Sequence, residues 1–306
     1  MATPTSLPNE PFPRPDQLSQ ATTSHRQGAF VISSRKLPIS KAGPIDAMEK
    51  ALGIPVPEMI FGDNVVAIRH VPTGWGIEFN AFDALDAVDK TDKKMLQVAY
   101  AKSWSASREQ TSAGIKDVVK PYDWSYSTEY RGTVTSSSSS LLPPPPPEYT
   151  PNSEEGTKEQ EKIENKHPFT PTSKPIPIEL LKRRDPILFF DEVMLYESEL
   201  DDNGISVLSV KVRVHEHRML LLARLYMRLD NVVVRIRDTR VYVDFDAEEV
   251  MREYTVKEAG FEEVKTKLRM TGLAPDAVTV ALRDANNIAE LLPTVGQTLE
   301  SVALKS

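Results

Sequence analysis

ISVLSVKVRV (205–214), RMLLLARLYMRL (218–229) and VVVRIRDTRVYVDF (232–245) decide the fold. Leu208, Val210, Val212 and Val214 alternate with Ser209, Lys211 and Arg213. Met219, Leu221, Ala223, Leu225, Met227 and Leu229 repeat at the same period of two, then Val232, Val234 and Ile236, then Val241, Val243 and Phe245. A period of two places alternate side chains on opposite faces of a strand. Asp230-Asn231 and Asp238-Thr239 are turn pairs, and connections this short make neighbouring strands antiparallel. The expected core is therefore an antiparallel meander over about 205–245, with a further strand over Pro186–Tyr196 ahead of it.

Working outward, Ile45, Met48 and Leu52 share a helical face behind Gly43-Pro44, and Gly53 supplies the stop. Val65, Val66 and Ile68 read as one strand and Gly74–Phe79 as another. Asn80 caps a helix whose inner face is Ala81, Ala84, Leu85 and Val88, with Asp83 at its third position. A helix over about Thr91–Trp104 and a strand alternating through Tyr122, Trp124, Tyr126 and Tyr130 follow. Helical signals return at Glu258–Leu268 and Asp284–Leu292, the latter stopped by Pro293. The fold class is α+β: mainly antiparallel sheets with helices packed on them.

Residues 1–27, rich in proline and small polar residues, read as a disordered tail. Ser136–Ser140 running into Pro143–Pro147 and a charged stretch has linker composition, so 135–170 reads as a low-complexity insertion. Polyproline also docks on SH3 or WW modules. Residues 294–306 read as a loose tail. This leaves one folded domain in two blocks, 28–134 and 171–293.

The 306 residues contain no cysteine, which removes disulfides, cysteine-ligated metals and a cysteine nucleophile. A net charge of −7 argues against a nucleic-acid binder. The run Met219–Ala223 is far too short for a membrane span, and no apolar leader stands at the start. The expected setting is the cytoplasm, with the nucleus as a second location. No cofactor motif is present: neither a phosphate-binding glycine loop nor a serine elbow occurs. His215 and His217, two apart at a strand end, form a candidate metal pair without an identifiable third ligand. Asp201–Gly204 resembles the start of a calcium loop, but Val210 stands where the bidentate glutamate belongs, so it reads as a turn with a glycine able to take positive φ. Arg235 and Arg237 share a strand face, with Arg224, Arg228 and Arg240 near in sequence. They are either a solvated face paired with Asp244 or Asp246, or a groove for a carboxylate-terminated peptide, because a guanidinium fork matches a carboxylate.

PEMIFGDN (57–64), GIEFNAFDAL (76–85), KPYDWSYSTEYRGT (120–133), PILFFDEVMLYESELDDNGISVLSVKVRV (186–214), RLDNVVVRIRDTRVY (228–242) and REYT (252–255) form an ordered set. Together they resemble the TIP-forty-one-like family, over about Gly28–Pro293 without the insertion. The resemblance implies a non-enzymatic regulator in TOR kinase signalling that binds catalytic subunits of type 2A-family protein phosphatases, including their C-terminal tail. It also implies the Tap/alpha-four phosphatase-binding protein as a further partner. Four positions implicated in phosphatase binding carry over: Asp83 of N-A-x-D-A-L, Ile176 ahead of the basic segment 182–184, and Ile236 and Asp238 of R-x-x-D-T-R. Three of them have a structural alternative: helix capping for Asp83, turn stabilisation for Asp238 and core packing for Ile236. Outside the resemblance, the alternative function is a small-ligand or metal-binding sheet protein using His215 and His217.

Overall fold

The computed structural model describes residues 12–88, 125–135, 167–200 and 204–305. In chain order these contain α1 (Pro15–Gln20), β1 (Thr22–Gln27), β2 (Phe30–Arg35), α2 (Ala42–Leu52), β3 (Met59–Ile60), β4 (Val65–His70), β5 (Gly76–Asn80), α3 (Ala81–Asp86), β6 (Thr133–Thr135), β7 (Thr170–Pro171) and α4 (Ile178–Leu181). Then follow β8 (Phe189–Ser198), β9 (Gly204–Val214), β10 (Arg218–Leu229), β11 (Val233–Asp244), β12 (Glu249–Gly260), α5 (Phe261–Met270), α6 (Pro275–Ala281), α7 (Ala285–Ile288) and β13 (Thr294–Ala303). The expected helix over 91–104, Trp124, the polyproline run and Asp201–Asn203 lie outside the described residues.

Two antiparallel sheets carry the α+β fold. One has the order β1-β2-β4-β5-β6, the other β3-β8-β9-β10-β11-β12-β13-β7. Phe30, Ile32, Val66, Ile68, Ile77 and Phe79 of the smaller sheet pack against Val210, Val212, Met219, Leu221, Val241 and Val243 of the larger, forming one shared core. On the opposite face of the larger sheet, Tyr226, Val234 and Ile236 are covered by Phe261, Val264, Val278 and Ile288 from the three C-terminal helices. A third, smaller cluster on that same face joins Ile176, Tyr242 and Met251.

The predicted meander is present, and the structure corrects one turn within it and several expectations around it. Asp238-Thr239 is no turn: β11 runs through it, pairing Asp238 with Arg224 and Thr239 with Ala223. The apolar phase shifts there, from Val234 and Ile236 to Val241 and Val243, because β11 is buried under the helices on one face and in the inter-sheet core on the other. Glu258 does not start a helix. It pairs with Arg235 inside β12, and α5 begins only after Gly260. Within the expected loose tail 294–306, residues 294–305 are ordered instead: β13 pairs with β12, and Val302 and Leu304 are buried in the core. At the other end, residues 12–27 depart from the expected disorder, since β1 pairs with β2 throughout and Leu18 is buried. Within 135–170, Thr135 closes β6 and Thr170 opens β7; residues 136–166 lie outside the described part. The strand expected through Tyr126 is interrupted, because Tyr126 takes a positive φ of 48° and only Thr133–Thr135 joins the sheet.

Asn231 supplies the left-handed residue of the β10–β11 hairpin, with φ 63°. Gly204 opens β9 at φ 158°, where an added Cβ would lie 1.9 Å from the Arg228 carbonyl oxygen of β10. Only glycine permits that approach. Gly204→Ala is expected to destabilise the fold by about 2 kcal/mol and to lower the melting temperature by roughly 4–8 °C, measured by circular dichroism.

Glu78 in β5 is buried, and burial raises its pKa from 4.5 to about 7, with the Asp83 carboxylate adding and Arg35 opposing. The folded protein therefore holds this proton more tightly than the unfolded chain does. Its stabilising effect is complete below the unfolded value and is lost as pH rises towards 7. Glu78→Gln is expected to be more stable than the native protein at pH 8, by about 1–3 kcal/mol, and equally stable near pH 4. Urea unfolding at the two pH values measures the difference.

Candidate functional site

Strand β11 directs alternate side chains to two different surfaces, and the sequence-predicted residues divide between them. Arg235, Arg237 and Thr239 share a face with Arg252 and Tyr254 of β12, in register across the ladder. The segment 125–135 crosses this face. Arg235 donates from Nη1 to Ser127 Oγ at 2.9 Å and from Nε to Glu258. Thr239 Oγ1 donates to the Tyr130 carbonyl at 3.3 Å. Arg252 donates to Glu300 at 2.9 Å and to the Arg131 carbonyl at 3.2 Å, while stacking over Phe169. Arg131 in turn lies 4.4 Å over the Tyr254 ring.

Arg237 stands apart within this cluster. Its nearest carboxylate is Glu129, an exposed side chain at 3.8 Å, and its Nε has no hydrogen-bond partner among the described residues. The Tyr254 hydroxyl is likewise buried without a partner among them. Burial pulls the Arg237 guanidinium below its ordinary pKa, against the favourable influence of Tyr254 and Glu129. Burial pushes the Tyr254 hydroxyl up, against the neighbouring Arg237 charge. A desolvated guanidinium with a free donor beside a free hydroxyl is set up to take a carboxylate, since a charge-assisted hydrogen bond would satisfy the arginine.

The other face holds Arg224, Asp238 and Arg240. Asp238 is 2% exposed and accepts from Arg224 Nε at 2.7 Å, from Arg224 Nη2 at 2.8 Å and from Arg240 Nη2 at 3.0 Å. Arg240 reaches Glu253 at 3.5 Å, and Arg224 donates to Asn286 Oδ1 of α7 at 2.8 Å. The five arginines thus do not form one groove, and none of those on β11 pairs with Asp244 or Asp246. Asp244 caps the following turn through the Asp246 and Ala247 amides, and Asp246 faces His217.

Of the four family positions, Ile236 and Asp238 lie two residues apart on this second face, Ile236 in the helix-covered cluster and Asp238 in the ion network. Ile176 is 3% exposed on the same side of the sheet, against Tyr242 and Met251. Asp83 is elsewhere. Its backbone amide donates to Asn80 Oδ1 and its carboxylate accepts from Asn80 Nδ2, both at 2.8 Å, as well as from Thr133 Oγ1. The Tyr130 hydroxyl lies 3.0 Å from that Thr133 oxygen. Asp83 is therefore both a helix-start residue and an anchor for the segment that crosses the arginine cluster.

The candidate histidine pair comes apart. His215 is buried with Nδ1 2.8 Å from the Pro186 carbonyl, whereas His217 is exposed and 3.0 Å from Asp246. Both sit in the β9–β10 turn, so they do not share a strand face. Among the described residues no group of three or more His, Cys, Asp and Glu side chains could hold a metal ion. Arg252, Tyr254 and Arg131 are cluster members that sequence reasoning left without a role. Their signal was the alternation of Val250, Arg252, Tyr254 and Val256, which continues the meander by one strand.

The TIP41-like family model matches residues 59–265, which span β3 to α5 and include both faces of β11. A TIP41-like protein of Homo sapiens is 39% identical over 241 residues, covering 78% of this chain and 78% of its own length. The type 2A phosphatase activator TIP41 of Saccharomyces cerevisiae is 35% identical over 289 residues, 89% of this chain and 72% of its own. The type 2A phosphatase activator tip41 of Schizosaccharomyces pombe is 30% identical over 269 residues, 87% and 92% respectively. By model match and by relatives across most of its length, the chain belongs to the TIP41-like family.

Proposed function

We propose that this protein is a non-enzymatic regulator of type 2A-family Ser/Thr protein phosphatases, which binds the catalytic subunit and takes its extended C-terminal tail on the Arg237 face of the larger sheet. The observation that carries this reading is Arg237 itself: half-buried, with its Nε inaccessible and unpartnered among the described residues, short of a well-placed carboxylate there, and near the Tyr254 hydroxyl, which is likewise unpartnered among them. A tail ending in a carboxylate would satisfy both groups, and the crossing segment anchored by Asp83 would form one wall. The names of the yeast and fission-yeast relatives support the phosphatase as partner.

Regulation in this reading is by occupancy. The protein holds the tail and adjacent surface of the enzyme and forms no covalent intermediate. Asp83 acts by placing the 125–135 segment. Ile236, Asp238 and Ile176 act on the other side of the sheet, either as direct contacts or by fixing the course of β11. The pathway is TOR signalling in the cytoplasm, with the nucleus as a second location, and a Tap/alpha-four type protein is a further partner.

Isothermal titration with a purified type 2A catalytic subunit tests the tail site. Arg237→Ala is expected to weaken binding about tenfold or more, and removal of the tail from the subunit should have the same effect. Lys265→Ala on the outer helix serves as control. Undiminished affinity both for Arg237→Ala and for the tail-less subunit would reject this site.

Asp238→Asn calls for a separate measurement. It leaves Arg224 and Arg240 without their shared counter-charge in a desolvated position, and should destabilise the fold by about 3 kcal/mol. The expected drop in melting temperature is roughly 6–12 °C. A variant that melts like the native protein yet binds the phosphatase poorly would place Asp238 in the interface itself.

A further inference from the structure

Segment 182–190 presents an unusual combination for a chain of net charge −7: Lys-Arg-Arg, then Asp-Pro, then Ile-Leu-Phe-Phe. Ile187, Leu188 and Phe190 are about half exposed, as is Ile178 on α4. They are not on a loose loop. Asp185 is paired with Arg218, the Pro186 carbonyl is 2.8 Å from His215 Nδ1, and the Leu188 amide donates to the Val214 carbonyl at 2.9 Å. The buried His215, unused in the reading above, serves to fix this segment. Phe190 then stands opposite Arg213 on β9, whose guanidinium reaches the Leu181 carbonyl at 3.3 Å. Arg184 has no ion pair or hydrogen bond among the described residues, and Lys211 already neutralises Glu192 at 2.9 Å.

Beside this apolar and cationic patch, β8 has an open edge. Strand β3 pairs only with Tyr196 and Glu197. The Met194 and Leu195 carbonyls accept from Asn64 Nδ2 and the Phe61 amide. The Glu192 amide is closed by its neighbour's carboxylate, Asp191 Oδ1, at 2.9 Å. Further towards Phe190, no backbone hydrogen bond reaches β8 from this side among the described residues. An exposed strand edge flanked by apolar side chains is a template for strand addition.

We propose that the β8 edge, with Phe190, Leu188 and the Arg183–Arg184 pair, binds an extended acidic segment of a partner protein, in which carboxylates alternate with apolar residues. Backbone pairing would satisfy the open edge, apolar side chains would cover Phe190 and Leu188, and carboxylates would face the arginines. A lipid surface could meet the charge and the apolar groups but could not pair with the backbone. Local positive charge on an acidic chain also directs an acidic partner here and away from the rest of the surface. The site is separate from Arg237 and does not depend on the phosphatase-tail reading.

The test is fluorescence polarisation with a labelled synthetic peptide in which glutamate alternates with valine, against the full chain. Binding is expected at low salt and should weaken as salt rises. Phe190→Glu and the double variant Arg183→Glu/Arg184→Glu should each reduce affinity about tenfold or more, with unchanged melting curves because the side chains are exposed. N-methylation of alternate peptide amides should abolish binding, and Arg237→Ala should leave it intact. The proposal is overturned by absence of binding, by equal binding of a peptide with lysine for glutamate, or by affinity that survives the variants or the N-methylated peptide. Sedimentation with phosphatidylserine vesicles in place of peptide binding, or a dimer that Phe190→Glu dissociates, would likewise overturn it.

Discussion

Strand β11 is hydrogen-bonded along both edges, to β10 and β12, and covered on both faces. A strand so enclosed should be apolar throughout, yet this one carries Arg235, Arg237, Asp238 and Arg240 through its middle. Each must find its counter-charge inside the protein, because water is largely excluded from both sides. For Asp238 the solution is complete: two guanidiniums and three hydrogen bonds. For Arg237 it is incomplete. That difference in electrostatic closure, between two residues adjacent in sequence, separates the side of β11 whose charges are fully answered from the side that keeps an unanswered donor among the described residues.

The same enclosure explains where the sequence was readable. Strands β9 and β10 have one face in the inter-sheet core, so their period of two runs uninterrupted and their limits were legible. In β11 the apolar phase changes at Asp238-Thr239, and a polar pair at a phase change looks like a turn. It is instead the point where burial passes from one face to the other. Strand β12 was hidden for a related reason: its charged residues answer charges on β11 and β13, as in Arg235–Glu258 and Arg252–Glu300, and so dilute the apolar alternation. Strand β13 is exposed along much of its length, and its place depends on pairing with β12, which no local pattern announces.

Site residues were legible in the same uneven way. The Asn80–Asp83 cap could be read from spacing alone, and the structure has it with the expected bond. That Asp83 also binds Thr133, fifty residues on, could not, because the contact is made between elements. Conversely, grouping the arginines by proximity in sequence joined side chains that the alternation of β11 sends to opposite surfaces. His215 and His217 fail as a pair for the same kind of reason: they leave the strand before their side chains can point the same way, and one is drawn inward to the Pro186 carbonyl.

The two described ends of the gap at 136–166 sit on different sheets. Thr135 ends β6, an outer strand of the smaller sheet, and β7 lies at the margin of the larger one. Among the described residues neither margin carries another strand beyond it. A change of length between Thr135 and Thr170 would therefore enter and leave at two peripheral strands, where insertions are tolerated best.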